Sequence, residues 1–378
     1  MLAEAQPPVA SPAAGLRARR RSVRRRFCSS AIAAESSALT AWLQARGAQV
    51  HPALTVSRDA HGLRGLFAAL PAAADTLLAC IPLACCLADD PSPLAPASAP
   101  WPARMAAAVL RAQGDAAWAP VVAALPREAV SVGALAPWSV LRELQLPSAL
   151  AAAADVAWLA EHPARGDASP DAWAWALSVA LSRTCRPHGA PARLLAPLFD
   201  MANHAAEADA ALRWAWEAGA LTLTTARDVA AGEELRICYG EHCSATFYLH
   251  YGFVPAQHPA DTVALFGCEA HAEQWLSGGG DDACDTLSAE DAAEAALRCG
   301  AGGAVDGRLL DLLEARLGGW DAAADAVRRR AGQLLAELPT TAAQDEVALA
   351  ALPRGHETEL PMRARLAHKL ILSNLLEV

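Results

Sequence analysis

The chain reads as an α+β protein: a strand-rich body split by a helical insertion and followed by an all-helical C-terminal region. Three observations predict this. Alternating apolar residues at 212–216 and 221–225 flank an Ala-Gly pair, the mark of a β-hairpin. An alanine-rich stretch from about Arg104 to Ala180 separates that hairpin from two earlier apolar runs. From about Thr286 the apolar spacing is helical, in "LLDLLEARL", "AVRRRAGQLLAEL" and "RARLAHKLILSNLLEV".

In chain order, "SALTAWLQARGAQ" (37–49) places Leu39, Trp42 and Leu43 on one helical face, with Gly47 where a C-cap belongs. Leu66 to Ala69 and Leu77 to Ile81 read as two short strands joined by a Pro-Ala turn, with Gly62 and Gly65 just before the first. A linker with prolines at 91, 93, 96, 100 and 102 opens the helical insertion, which Pro126, Pro137, Pro147 and Pro163 punctuate. "LLAPLFDMANH" returns to strand character, the hairpin follows, and "AAGEEL" is a turn feeding a final strand from Leu235 to Tyr239. The implied division is a leader at 1–36, a strand-rich domain at 37–255 with its insertion at about 95–175, and a helical domain at 256–378.

The chain has 378 residues, 54% hydrophobic and 19% charged, enough for two or three domains with a sizeable core. The apolar run from Thr76 to Ala88 is too short to span a bilayer and is broken by Pro82, so no membrane is expected as a partner. Net charge is -10, although residues 1–36 carry seven arginines against Glu4 and Glu35. The body is therefore more acidic than the whole chain and unsuited to a phosphate backbone; a basic protein substrate is compatible with it. The arginine-rich, acid-poor leader has the composition of an organelle transit peptide, with "RRRFCSSA" as a processing region. A chloroplast location is expected, with the mitochondrion or cytoplasm as alternatives.

Ten cysteines are present and none forms a CxxC. Cys238, His242 and Cys243 cluster in "CYGEHC", but no fourth ligand accompanies them, so no metal is expected and the cysteines read as free thiols. The single lysine, Lys369, is expected to run its stem along the apolar face near Met362, Leu366 and Leu370 and keep its ammonium in water.

"PLFDMANH" packs Asp200, Asn203 and His204 behind an apolar run, where such groups are expensive to bury without partners. Four features then align: the Gly-containing turn at 62–67, Ser182-Arg183, "DMANH", and "GEELRICYG" with "YGF" twelve residues after its tyrosine. Together, in this order and spacing, they resemble the SET-domain protein methyltransferases, in the branch that includes the plant Rubisco large-subunit lysine methyltransferase. The likeness runs from about residue 39 to the C-terminus and includes "LPTTAAQDEVAL", similar to a signature of that branch's C-terminal domain.

The resemblance implies a β-rich SET (β-clip) domain with a helical insertion and an all-α substrate-binding domain, acting as a monomeric protein-lysine methyltransferase. The cofactor it implies is S-adenosylmethionine, and the partner a lysine-bearing protein. Carried over by motif, Arg64 and Gly65 let backbone approach the cofactor, Arg183 takes its carboxylate, Asn203 accepts from its ammonium, and His204 offers backbone groups to adenine. Tyr251 supplies an aromatic wall beside the sulfonium. Tyr239 becomes the catalytic tyrosine, orienting the amine; a phenol with an ordinary pKa near 10 is a poor base at neutral pH. Ser182, Cys185, Phe199 and Asp200 line the substrate channel. Some positions depart from the pattern. The first glycine of the turn is one place early, at Gly62, and Cys243-Ser244 replaces a Ser-Asn pair. Cys185 stands where lysine-methylating members carry an aromatic, and Phe199 is larger than some members have. A histidine-methylating branch alters these last two slots as well, so a histidine acceptor is one alternative and a catalytically silent scaffold the other.

Overall fold

The computed structural model describes residues 29–256, 258–279 and 294–377; the expected transit segment up to residue 28 lies outside the described residues. The first helix spans Ser29–Gln44, eight residues longer at its start than the spacing indicated, and buries Leu39, Trp42 and Leu43. Gly47 follows it at a φ of 86°. The strands are β1 (Gln49–Val50), β2 (Leu54–Arg58), β3 (Arg64–Ala68), β4 (Leu77–Pro82), β5 (Leu87–Ala88), β6 (Leu194–Leu195), β7 (Leu212–Glu217), β8 (Ala220–Thr225), β9 (Thr262–Phe266) and β10 (Leu297–Gly300).

These strands form small antiparallel sheets: β1-β4-β8-β7, β2-β3, β5-β6 and β10-β9. The β7-β8 hairpin stands in the expected register, Glu217 opposite Ala220, and both turn residues, Ala218 and Gly219, take positive φ as a two-residue turn requires. The two earlier strands are present but do not pair with each other. β3 pairs with β2, which the sequence reading missed, whereas β4 joins β1 and β8.

The expected final strand at 235–239 is not a ladder but a thread between two partners. Leu235 donates to Leu66 O (2.8 Å) and Ala68 to Glu233 O (2.8 Å); farther along, Ile237 donates to Asn203 O (3.0 Å) and Ala205 to Ile237 O (2.9 Å). "GEELRICYG" is thereby laid between β3 and "DMANH", which brings three distant motifs together. Among the described residues its only bridges are Phe67–Glu234, antiparallel, and His204–Ile237, parallel.

The insertion is helical as expected, its main helices spanning Trp101–Gln113, Pro147–Leu159 and Pro170–Arg183. Prolines begin these helices, where a missing N–H is harmless. Ser169 caps the third by accepting from Ala172 N (3.2 Å). Met105, Val109, Trp173 and Leu177 form the centre of the insertion's core. A second core lies under the sheets, and a third under the C-terminal helices Gly307–Leu317, Trp320–Ala336 and Glu359–Glu377. The C-terminal region is mainly helical but also carries the β9-β10 ribbon, with β10 inside a stretch expected to be helix.

Two side chains differ from expectation. Cys268 is disulfide-bonded rather than a free thiol. Lys369 is fully buried: its Nζ donates to Asp345 Oδ2 (2.6 Å), Thr340 Oγ1 (2.6 Å) and Gln145 Oε1 (3.3 Å). Of the neighbours that helical spacing placed beside the lysine, Met362 is buried, Leu366 half-buried and Leu370 exposed; spacing revealed neither the carboxylate facing the lysine from the preceding helix, Ala342–Ala351, nor the insertion's Gln145.

Candidate active site

The helix Pro170–Arg183 ends at Ser182-Arg183 because Thr184 turns extended, with φ -105° and ψ 149°. Opposite it, Leu198 adopts a φ of 71°, rare for a bulky residue, and is buried. That bend starts a short 3-10 turn, Phe199–Met201, and sets Asp200 against Arg183. Arg183 Nη1 donates to Asp200 O (2.7 Å) and Asp200 Oδ2 (3.2 Å). Burial pushes the Asp200 carboxyl up, while the charges of Arg183 and then Arg64 pull it back. Arg183 Nε is buried with no partner.

Asn203 donates from Nδ2 to Arg64 O (3.1 Å) and to Glu234 Oε1 (2.7 Å), which leaves its Oδ1 as the acceptor. Gly65 makes this possible: a Cβ there would lie 2.8 Å from Glu234 Oε1 and 2.9 Å from Asn203 Nδ2. The parallel bridge at His204 uses the flanking Asn203 carbonyl and Ala205 amide, so His204's own N–H and C=O face the other side of the chain.

Tyr239 donates from its hydroxyl to Ala202 O (2.7 Å), and burial drives its pKa further above the ordinary phenol value. Tyr251 lies 4.9 Å from it, centroid to centroid, at the end of a π-helical turn, Phe247–Tyr251. Gly252 closes that turn at a φ of 76°, where a Cβ would lie 2.2 Å from Ser131 O, so only glycine lets the insertion's backbone pass. Phe247 and Phe253 pack on the His204 ring at 4.6 and 5.9 Å.

Two cavities meet here. One, of about 560 Å³, is lined by Arg64, Asn203, His204, Leu63, Val130 and Phe253. The other, of about 350 Å³, is lined by Cys185, Phe199, Trp214, Arg186, Arg193 and His242. Ser182, Arg183, Asp200, Tyr239 and Tyr251 line both and form the wall between them. All the residues singled out from sequence therefore converge: Arg64, Asn203 and His204 on the first cavity, Cys185 and Phe199 on the second, the shared five between, and Gly65 behind Asn203. Burial pushes the Cys185 thiol up to about 12, with Arg193 opposing, so it is a neutral wall and not a nucleophile.

The sequence reading missed Glu234 and Trp214. Glu234 lay within the quoted "GEEL" and read as turn polarity, whereas it orients Asn203. Trp214 read as one side of a hairpin, and its ring meets Phe199 edge-on at 5.2 Å in the second cavity. Cys238, His242 and Cys243 do not gather a metal site: among the described residues no group of three or more His, Cys, Asp or Glu is placed to hold an ion. Nor, among those residues, is any helix long and apolar enough to cross a membrane.

His204 carries a pH expectation. Its pKa is lowered to about 4, by burial first and then by the charges of His258, His242 and Arg236. Neutral, its Nδ1 accepts from Tyr239 N (3.3 Å); protonated, it cannot. An unfolded histidine protonates near 6.5. The ring therefore favours the fold above that pH, and its contribution fades as pH falls from about 6.5 toward about 4. An NMR titration of the imidazole is expected to show a midpoint near 4. A midpoint near 6.5 would contradict the buried, accepting role.

This arrangement has the SET-domain fold, built on a strand-rich body with a helical insertion and a C-terminal helical region. The chain superposes on the SET domain of LSMT bound to lysine and AdoHcy with a TM-score of 0.63, covering 92% of this chain and 91% of that one at 16% identity. The same domain bound to methyllysine and AdoHcy gives 0.64 at 18% identity, covering 91% and 90%. Rubisco LSMT bound to AdoMet gives 0.62 at 16% identity, covering 91% of each chain. In sequence, the chain is 34% identical over 71 residues to the ribosomal lysine N-methyltransferase set11 of Schizosaccharomyces pombe; the match spans 19% of this chain and 18% of the yeast protein. No family model matches the chain.

Proposed function

We propose that the chain is an S-adenosylmethionine-dependent protein-lysine N-methyltransferase. The observation that carries this is the pair of cavities meeting at one wall. Methyl transfer by in-line displacement needs a donor site and an acceptor site on opposite sides of the reacting carbon, held in near-attack geometry. The structural relatives are solved with AdoMet or AdoHcy and, in two cases, with lysine or methyllysine.

The residues fit the cofactor. The orphaned Arg183 Nε suits a carboxylate, Asn203 Oδ1 suits an ammonium, and the outward-facing backbone of His204 suits an adenine edge. When bound, the cofactor supplies a methyl group on a sulfonium sulfur. The chain's part is positional. Tyr239, with its proton committed to Ala202 O and its pKa raised, keeps a phenol oxygen free to accept from an amine and does not serve as base. The Phe199–Trp214 pair and Cys185 give the amine's side an apolar lining, which disfavours a charged ammonium over a neutral amine.

We assign substrate docking to the C-terminal helical region, on a folded non-histone protein. A plastid setting rests on the leader's composition, and the chain is read as a monomer. The test is incubation of the full chain with labelled S-adenosylmethionine and plastid extract, followed by mass spectrometry of the labelled protein. A methyl on lysine supports the reading, a methyl on histidine replaces the acceptor, and no label from a folded chain that also fails to bind cofactor ends it. In the same assay, Tyr239→Phe is expected to leave cofactor affinity within a few-fold and lower turnover by about tenfold or more, the effect of losing an orienting hydroxyl. Unchanged turnover would remove Tyr239 from the mechanism.

A further inference from the structure

β7 is the last strand of its sheet, paired with β8 on one side only. The two-residue turn makes Glu217 and Ala220 a hydrogen-bonded pair, so Ala215 and Arg213 also aim their N–H and C=O groups at β8. Those of Leu212, Trp214 and Trp216 point outward. The first is used: Leu212 N donates to Arg236 O (3.1 Å) in the thread. At Trp214 the thread no longer bonds the strand's backbone, and the indole reaches it instead, Nε1 donating to Cys238 O (3.4 Å). Among the described residues, no backbone partner takes the outward groups of Trp214 or Trp216.

Such an edge is ordinarily blunted by a bulge, a proline or an inward-turned charge. β7 pairs with β8 without a bulge and contains no proline. Its charges, Arg213 and Glu217, lie on the face opposite the tryptophans, by the alternation of a strand, and Arg213 is bonded to Asp75. Trp214 and Trp216 pack half-buried against the core under the sheets. Trp214 also lines the second cavity, proposed above for the acceptor, with Ile237, Cys238 and Gly240. The open edge therefore runs into that cavity. Charge gives no comparable direction there, because Arg186 and Arg193 line the cavity while Glu207 and Glu241 act on Cys238 at its side.

We propose that the outer edge of β7 takes the substrate as an added antiparallel strand, so that the target lysine lies opposite Trp214 and an apolar residue two positions before it lies opposite Trp216. This rests on the methyltransferase reading. Directly opposed residues of paired strands send their side chains to the same face, so the residue facing Trp214 points where its ring points, into the acceptor cavity. Antiparallel pairing is the more stable kind per residue, and in it the residue facing Trp216 comes two earlier in the substrate. A β-branched or aromatic side chain there packs on the Trp216 ring. The residue between the two turns its N–H and C=O away from β7 and its side chain to the other face, so its identity is free. Main-chain bonds supply the grip and Trp216 the selectivity. The C-terminal helices hold the body of the substrate, and β7 holds the extended segment around its lysine.

The test uses short peptides with one central lysine in an alanine and threonine background, bound to the full chain saturated with S-adenosylhomocysteine and measured by calorimetry. Valine two positions before the lysine is expected to improve affinity by about threefold to fivefold over alanine, and valine two positions after it to change nothing. N-methylation of that valine's amide, which removes its bond to the Trp216 carbonyl, should weaken binding by about tenfold. N-methylation of the next residue, whose amide faces away, should leave it within twofold. In Trp216→Thr, which keeps a strand-forming residue, the valine preference should vanish with S-adenosylhomocysteine affinity unchanged. Hydrogen exchange on the wild type needs no variant: the peptide should slow the amides of Trp214 and Trp216 and leave those of Arg213 and Ala215 as they were. Equal weakening by both N-methyl groups, a valine that helps only after the lysine, or unaltered exchange at Trp214 and Trp216 would each overturn the docking mode. So would no binding of any peptide by a chain that binds S-adenosylhomocysteine, which leaves the methyltransferase reading standing. A folded wild type that fails to bind S-adenosylhomocysteine would bring down that reading, and this one with it.

Discussion

Asp345→Asn is expected to lower the stability of the fold by about 3–5 kcal/mol, the usual effect of removing one member of a buried ion group. Asp345 is fully buried. It accepts from Lys369 Nζ (2.6 Å), from Arg365 Nη2 (2.8 Å) and from Thr340 Oγ1 (2.8 Å). Burial pushes its carboxyl up, yet the Arg365, Lys369 and Thr340 donors together hold its pKa below the ordinary value. Asparagine has nearly the same shape but no charge, so Lys369 would be stranded with two neutral oxygens, Thr340 Oγ1 and Gln145 Oε1. Arg365 would keep its bond to Glu143 Oε2 (2.9 Å), which limits the loss on that side.

The same geometry predicts a rescue. Adding Lys369→Met to Asp345→Asn removes the stranded charge and replaces it with a side chain of similar length, so the double variant should be more stable than Asp345→Asn alone. Denaturant unfolding of both decides the matter, with the midpoint as readout. If the double variant is no better, Lys369 is not the group left uncompensated. The network also ties the tail to the insertion, because Glu143 and Gln145 belong to one and Thr340, Asp345, Arg365 and Lys369 to the other. Removal of the tail would therefore disturb the insertion as well as any substrate docking. The buried lysine is for the same reason a poor acceptor for the methyl transfer proposed above, since the terminal helix must open before it can be reached.

What the sequence made legible follows from how far each physical signal reaches. The β7-β8 hairpin was legible because alternation and a two-residue turn are local, and so were the proline-started helices of the insertion. β2 and the thread at 235–239 were not. Their pairing partners lie elsewhere in the chain, and the thread is held by single bridges on two sides rather than by a ladder. At the site, chemistry-bearing residues were legible where a motif fixed their order, as at Arg183, Asn203, His204, Tyr239 and Tyr251. Glu234 and Trp214 were not, because an acid in a turn and an aromatic in a strand each have an ordinary explanation. Lys369 marks the limit most clearly: of the neighbours that spacing assigned to its face only Met362 is buried, and its environment depends on a carboxylate 24 residues away that spacing on one helix cannot reveal.

Gly65→Ala is expected to separate cofactor binding from folding. Gly65 sits in β3 opposite Ser57, and its backbone is one that alanine adopts without strain, so the strand itself should tolerate the methyl group. The methyl would instead fall 2.8 Å from Glu234 Oε1 and 2.9 Å from Asn203 Nδ2, inside the contact distance of both. Those two atoms are joined by a 2.7 Å hydrogen bond, so one of them must leave. A hydrogen bond to a charged group contributes about 1.5–3 kcal/mol, and its loss would release the amide whose oxygen the proposed ammonium contact needs. S-adenosylmethionine affinity should therefore fall by roughly tenfold to a hundredfold, while the melting temperature moves by no more than a few degrees. Glu234→Ala offers the complementary case: it removes the crowding partner but also the bond that orients Asn203, so combined with Gly65→Ala it should not restore affinity. Calorimetry on the three variants distinguishes the explanations. Affinity within twofold of wild type in Gly65→Ala would mean that Asn203 is not held for the cofactor at all. Recovery in the double variant would mean that the methyl acts only through its clash with Glu234, and that the Glu234 bond is not needed to hold Asn203.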